Sequence, residues 1–492
     1  MATRKASGAF LSLFILLGFL FLSLFSRHAE GAIFHVTENG AGLRDGSSWA
    51  NACDAGRFPQ LLSEASPGTE IWIAEGRYRP GSPNHPYSAF ILPPGVSLYG
   101  GFAGNEVSAE QRDPLAHVSV LTGDLSLDDT VNSHGVTERI EDIVGQNSYT
   151  VIRCEGEPRE GNVAIPVPER PQSVIDGLVI TGGNSDVICY SSLQGEPSTK
   201  AEYPVIHTGG FHIENARVEV RQTTFTGNQG FSGGAVWNAS GVTSILKCTF
   251  SGNRAISRGG CIENWTNVGG AESEMTISES LFSSNNARDD GGAIENHSSE
   301  VAVRRCTFAE NTAGNGGGIH NFQGKMTVEA CTFSGNAAVG DFYGTDIRGG
   351  GIYNQSNNTD SAVIVNCTFY GNSADFGGGV ANWGKMLLIN STLSENSAVH
   401  GEELADGKDH PTEVVNCILW HGYPGDEIYT DQSYPVDVRY SIIKGGYPGE
   451  GNLDVSPLLG TPSWNGGPTR TCALLPGSPA IDSGTSAGAP EK

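Results

Sequence analysis

Acidic residues stand beside basic ones at two places in the chain, and a third acid lies close to the second. Asp289 and Asp290 follow Arg288, Asp341 and Asp346 precede Arg348, and Asp375 lies one repeat later. Two carboxylates flanking a glycosidic bond suit hydrolysis, whereas a base beside a cation suits elimination next to a sugar carboxylate. The 36-residue step between Phe333 and Phe369 adds a loop that would bring Asp341, Asp346, Arg348 and Asp375 together. Gly/Asp-rich segments are also the ordinary material of solvated turns, so these residues are groove candidates without an assigned catalytic role. Calcium is the one cofactor such oxygens admit, although no EF-hand or nonapeptide calcium repeat is present. The Cys/His spacing of a zinc site is absent as well. His320 and Tyr353 follow Gly-Gly pairs in successive repeats, and Trp237, Trp265 and Trp383 lie at or near the same point of theirs. Turned outward, such rings would form a strip for sugars or a protein partner; covered by loops, they would be packing.

The elements that position these residues repeat. TTFTGN (223–228), CTFSGN (248–253), SLFSSN (280–285), CTFAEN (306–311), CTFSGN (331–336), CTFYGN (367–372) and STLSEN (391–396) share one anchor. Between them fall GGAVWN (233–238), GGCIEN (259–264), GGAIEN (291–296), GGGIHN (316–321), GGGIYN (349–354) and GGGVAN (377–382). The shortest steps between anchors are 24 to 26 residues, and longer ones add loops. Short alternating apolar runs make strands, and three strands per unit without a crossover helix fit a coil that lies on the preceding coil. The expectation is an all-β fold, a single-stranded right-handed parallel β-helix of pectate-lyase-like type. Phenylalanine and cysteine would form inward ladders, asparagine would bridge backbone at the bends, and the glycine pairs would permit unusual angles or close approach. Phe58 to Ala65 has the spacing of one short amphipathic helix, suited to capping the first coil. The divisions read from this pattern are 1–31 for a signal segment, 32–125 for the cap and first coils, 126–445 for the main helix with polar side loops at 155–172 and 184–207, and 446–492 for a C-terminal cap.

With 29 Lys+Arg against 54 Asp+Glu, the net charge is -25, which repels phosphate backbones and argues against nucleic acid as partner. Arg4 and Lys5, the apolar run 9–25 and small residues at Ala29 and Gly31 form the pattern of an export signal, or of a membrane anchor if retained. Of ten cysteines, five occupy the slot two residues before the apolar anchor, where Ser280 and Ser391 also occur. That reading gives buried free thiols. The sequons at Asn238, Asn264 and Asn296 fall on repeat bends, so glycosylation is not expected there.

The paired anchors resemble the repeats of chlamydial polymorphic outer-membrane proteins and of secreted bacterial right-handed β-helix proteins. GLRDGSSWANAC (42–53), PGTEIWIAEGRYRP (67–80) and GVSLYGGFAGNE (95–106) are similar to the entry segment of the latter. SPLLGTPSWNGGPTRTCALLPGSPAIDSG (456–484) resembles the terminal segment of the choice-of-anchor group. The resemblance implies a secreted or cell-surface, adhesin-like protein; with an extended stacked face and no secure catalytic constellation, the expectation is a non-catalytic, monomeric protein binding an extracellular polysaccharide or surface protein. A polysaccharide lyase, hydrolase or epimerase is the alternative, because β-helices host both roles.

Overall fold

The computed structural model describes residues 31–157, 167–185, 207–266, 273–340, 346–356, 361–407, 411–423, 425–431 and 436–486. The export segment, Cys189, Asp341 and most of the two polar inserts lie outside the described residues. Among the described residues the strands form four sheets whose paired strands all run parallel. The first sheet has thirteen strands, from Ile33–Val36 to Asp437–Arg439; the second has eleven, from Phe90–Ile91 to Ile428–Thr430. A third has twelve, from Gly76–Tyr78 to Ile442–Ile443, and the fourth has five strands of two residues each.

One coil shows the order: Val236–Ala239 in the second sheet, Val242–Leu246 in the first, Thr249–Ser251 in the third and Arg254–Ala255 in the fourth. Ile262–Trp265 then pairs in register with Val236–Ala239. This is the expected right-handed parallel β-helix. Thirteen stacked strands make twelve intervals of about 4.8 Å, a sheet about 58 Å long.

Register turns the sequence repeats into ladders. Phe225, Phe250, Phe282, Phe308, Phe333 and Phe369 are fully buried, with successive ring centroids 4.6–4.9 Å apart. Asn228, Asn253, Asn285, Asn311, Asn336, Asn372 and Asn396 form a second column. Asn311 is typical: its Nδ2 donates to Phe282 O at 3.0 Å and to Asn336 Oδ1 at 2.9 Å, and its backbone N–H donates to the same Oδ1 at 3.0 Å. Asn238, Asn264, Asn296, Asn321, Asn354 and Asn382 form another amide column, which closes sequons 238, 264 and 296 to modification. Each Asn column ends on an acid that accepts the last amide hydrogen, Glu403 for the first and Asp406 for the second. The Gly-Gly pairs have the two predicted roles. Gly291 has φ +66°, and a Cβ on Gly292 would lie 2.1 Å from Gly317 O of the next coil.

A helix covers the first coils, and the segment at Leu453 pairs on the last one, with Leu453 N–H donating to Ser441 O and Ile443 N–H to Leu453 O. Helix α1, Phe58–Ser63, buries Phe58 and Leu62 against the first coils, with Phe58 5.1 Å from Phe90 by ring centroids. The segment around Thr137 and Glu138 lies on the third sheet, accepting hydrogen bonds from Thr181 and Thr226. From the other end the tail folds back as a hairpin, with antiparallel bridges Leu459–Leu474 and Ser463–Thr471. Its tip reaches Thr332 of that sheet and Ala330 at the bend before it. No described helix is long and apolar enough to cross a membrane.

Candidate functional site

The second sheet carries three of the predicted residues, Trp237, His320 and Tyr353, in one column. In-register pairing aligns His212, Trp237, Glu263, Glu295, His320 and Tyr353 on six successive strands. They flank the inward Val or Ile of each strand and therefore face away from the core. They are nevertheless covered: Trp237 is 5% exposed, Glu263 0%, Glu295 1%, and His320 and Tyr353 2% each. His207 stacks on Trp237 at 4.3 Å and Asp290 lies 3.9 Å from His320, so this column is covered by neighbouring segments and is not an open aromatic strip.

Beneath the cover the polar groups pair. His320 Nδ1 lies 2.7 Å from Glu295 Oε2 and 3.9 Å from Asp290 Oδ1, and its ring stacks on Tyr353 at 4.8 Å. Burial alone would lower the His320 pKa, but Glu295 and Asp290 together raise it above its ordinary value. Asp290 also accepts from Asn315 and faces Arg258 at 3.7 Å, and burial raises its carboxyl. Asp289 binds Arg288 and the Ser257 hydroxyl, both at 2.9 Å. Glu263 differs. Neither carboxylate oxygen has a partner at full hydrogen-bond geometry, and burial followed by repulsion from Glu295 outweighs the neighbouring Ser232, Arg258 and Trp237 and pushes its pKa up to about 8. Farther along, Arg348 donates to Asp346 at 2.6 Å and lies over the Trp383 ring at 4.6 Å and the Tyr353 ring at 5.8 Å. Asp375 meets this loop through its backbone N–H, which donates to Ile347 O. The loop and the next coil thus adjoin as expected, but Arg348 is engaged by Asp346 and the two rings.

An open concavity lies on a different face. A groove of about 720 Å³ runs between segment 132–141 and the outer face of the third sheet. Thr224, Thr226, Ser251 and Asn286 line its floor, with Arg254 beside them; His134, Glu138, Arg139 and Glu141 form the facing wall. Thr226 Oγ1 already donates to Glu138 O, Ser251 Oγ to Thr226 Oγ1 and Asn286 Nδ2 to Thr312 Oγ1, so the Thr224 hydroxyl, the remaining acceptor positions and the two bordering guanidinium groups are what the groove offers an extended polar chain. This site escaped the sequence reading because segment 132–141 does not repeat and meets strands about ninety residues later. Glu263 and Glu295 left a clearer signal: each is the fifth residue of its GG anchor, the position held by Trp237, His320 and Tyr353.

Two further clusters have donors able to coordinate a metal ion. Asp124, Asp128 and Asp129 are all-oxygen, but their carboxylates already accept from Arg77, Thr137, Asn147 and backbone amides. Glu155, His212 and Glu214 are brought together by strand register across some sixty residues. That separation hides them from any reading based on ligand spacing.

A family pattern described as the Chlamydia polymorphic membrane protein (Chlamydia_PMP) repeat matches residues 305–321, the stretch that holds CTFAEN and GGGIHN. Comparison with curated proteins and with solved structures finds no match. The repeat match and the in-register sheets agree on a repetitive protein of the β-helix type.

Proposed function

We propose that this chain is a non-catalytic, exported binding protein that holds an extended extracellular glycan in the groove on the third sheet. The observation that carries the reading is the contrast between the two faces. The groove presents Thr, Ser, Asn and Arg side chains to solvent, whereas the column of acids and histidines on the second sheet is sealed. Secretion or surface display and an adhesin-like role follow from the export pattern and the repeat resemblance. Among the described residues, calcium as cofactor matches the all-oxygen Asp124 cluster by donor type.

The enzymatic alternative rests on one place. Asp346, its side chain 59% exposed and paired with Arg348 at 2.6 Å, adjoins the coil of Asp375, whose N–H donates to Ile347 O, which sets a carboxylate and a cation beside a second acid. One experiment separates the readings. Purified protein is incubated, with and without calcium, with polygalacturonate, alginate and neutral glucans while binding, unsaturated products and reducing ends are recorded. Binding without new ends supports the proposal. New ends abolished by Asp346→Ala or Asp375→Ala would establish the enzyme instead, and no glycan binding at all would reject the glycan reading.

A further inference from the structure

We propose that Glu155, His212 and Glu214 form a binding site for a zinc-type transition-metal ion. Register creates it. The strand Ile152–Glu155 pairs with Phe211–Glu214 so that Glu155 lies directly beside Glu214, and Arg153 beside His212. Two like charges one strand spacing apart repel, and a cation between them removes that cost. His212 Nε2 lies 3.4 Å from Glu214 Oε2 and 3.7 Å from Glu155 Oε1, and one donor atom from each residue lies within 4.8 Å of the other two. Charge-assisted hydrogen bonds close to about 2.7–2.9 Å. Ligands at about 2.0–2.2 Å from a tetrahedral metal stand about 3.3–3.6 Å from each other, which is nearer the observed spacing.

The surroundings suit an ion that enters from solvent. The His212 side chain is 4% exposed and packs on Trp237 at 4.7 Å, so its ring is held in place, while Glu155 and Glu214 remain 43% and 36% exposed. An imidazole between two carboxylates selects zinc or a neighbouring transition metal over calcium, which takes six to eight oxygens. Three protein donors leave a fourth position for water or a ligand group. Arg153 competes, because both its Nε, at 2.8 Å, and its Nη2 donate to Glu155 Oε1, the oxygen that faces His212. Metal binding therefore requires Glu155 to exchange a guanidinium for the ion.

Calorimetric titration of the full chain with zinc chloride and with calcium chloride, paired with thermal unfolding, tests the site. One zinc equivalent that raises the melting temperature is expected, with affinity at least tenfold lower in His212→Gln and in Glu214→Gln. Arg153→Gln is expected to bind zinc several-fold more tightly, an effect that a site built only for ion pairing would not show. Circular dichroism of the metal-free variants confirms that they fold; should His212→Gln not fold, Glu214→Gln and Arg153→Gln carry the test. Absence of zinc binding, zinc binding indifferent to these variants, or calcium binding as tight as zinc would each overturn the assignment.

Discussion

At the scale of single residues, Glu263 makes the stability of the chain depend on pH. Its carboxyl titrates near 8 in the folded protein and near its ordinary 4.5 when unfolded, so between those values the folded state holds the extra proton. Stability then falls as pH rises through that window. His320, whose pKa is raised, acts in the same direction, since its stabilising charge is lost as pH rises through its folded value. Replacing Glu263 with glutamine keeps the shape and removes the titration. Thermal unfolding from pH 5 to 9 should show a clear fall in melting temperature for the parent and a smaller one for Glu263→Gln; equal slopes would contradict this origin. The cysteine slot gives a second prediction. Cys306, Cys331 and Cys367 are buried free thiols, and each Sγ donates to the carbonyl two residues earlier. Serine fills the same slot at 280 and 391, bonding Ser278 O and Ile389 O at 2.8 Å. Cys331→Ser should therefore cost no more than about 1 kcal/mol, a hydrogen bond's worth, by denaturant titration. Thiol reagents should label these positions only after unfolding, and a linked Cys306–Cys331 pair in non-reduced digests would refute the free-thiol reading.

At the scale of the repeated element, the ladders hold the coils together through identical rungs. Phe308→Ala opens a cavity between Phe282 and Phe333 and should cost about 3–5 kcal/mol. The asparagine columns make a sharper prediction because each rung both accepts and donates. Asp406 only needs to accept, from Asn382 at 2.9 Å and Thr412 at 2.6 Å, so an acid suits the end of the column and not its interior. Asn354→Asp should destabilise by about 1–3 kcal/mol or more, having lost its donor to Asn382, whereas Asp406→Asn should be nearly neutral. Similar costs for both substitutions would remove the directional account. These columns were legible in the sequence because the same residue type recurs at the same place in every unit. The left-handed residues were less so: Lys247, Glu279, Arg305, Ala330 and Asn366 share φ of +51° to +56° at the bend before the Cys/Ser slot, yet share no side-chain type. Backbone angle, unlike burial, leaves only a weak compositional trace when glycine is not used. Burial of the Trp237–Tyr353 column was illegible for another reason. Alternation tells which residues leave the core, but not whether a non-repeating loop then covers them.

At the scale of the whole molecule, two non-repeating segments decide what the solenoid exposes. Segment 132–141 covers the third sheet near Thr226, and the tail hairpin covers it near Thr332. The groove and the half-buried Thr249, Ser251, Ser283 and Thr307 lie between these covers on the same outer face. The first sheet has an outer face too, where Glu300 pairs with Lys325 at 2.9 Å and Arg304 with Glu329 at 3.3 Å, so its charges largely answer one another across coils. Binding should thus belong to one face of the rod. The most direct measurement is glycan affinity after filling the groove: Ser251→Trp, compared with Thr276→Trp, which places the same bulk on the exposed face of the first sheet. With both variants shown to fold by circular dichroism, Ser251→Trp should lose at least tenfold in affinity for whichever polysaccharide the parent binds, and Thr276→Trp should match the parent. Undiminished binding by Ser251→Trp, or equal loss in both, would contradict a glycan site in this groove.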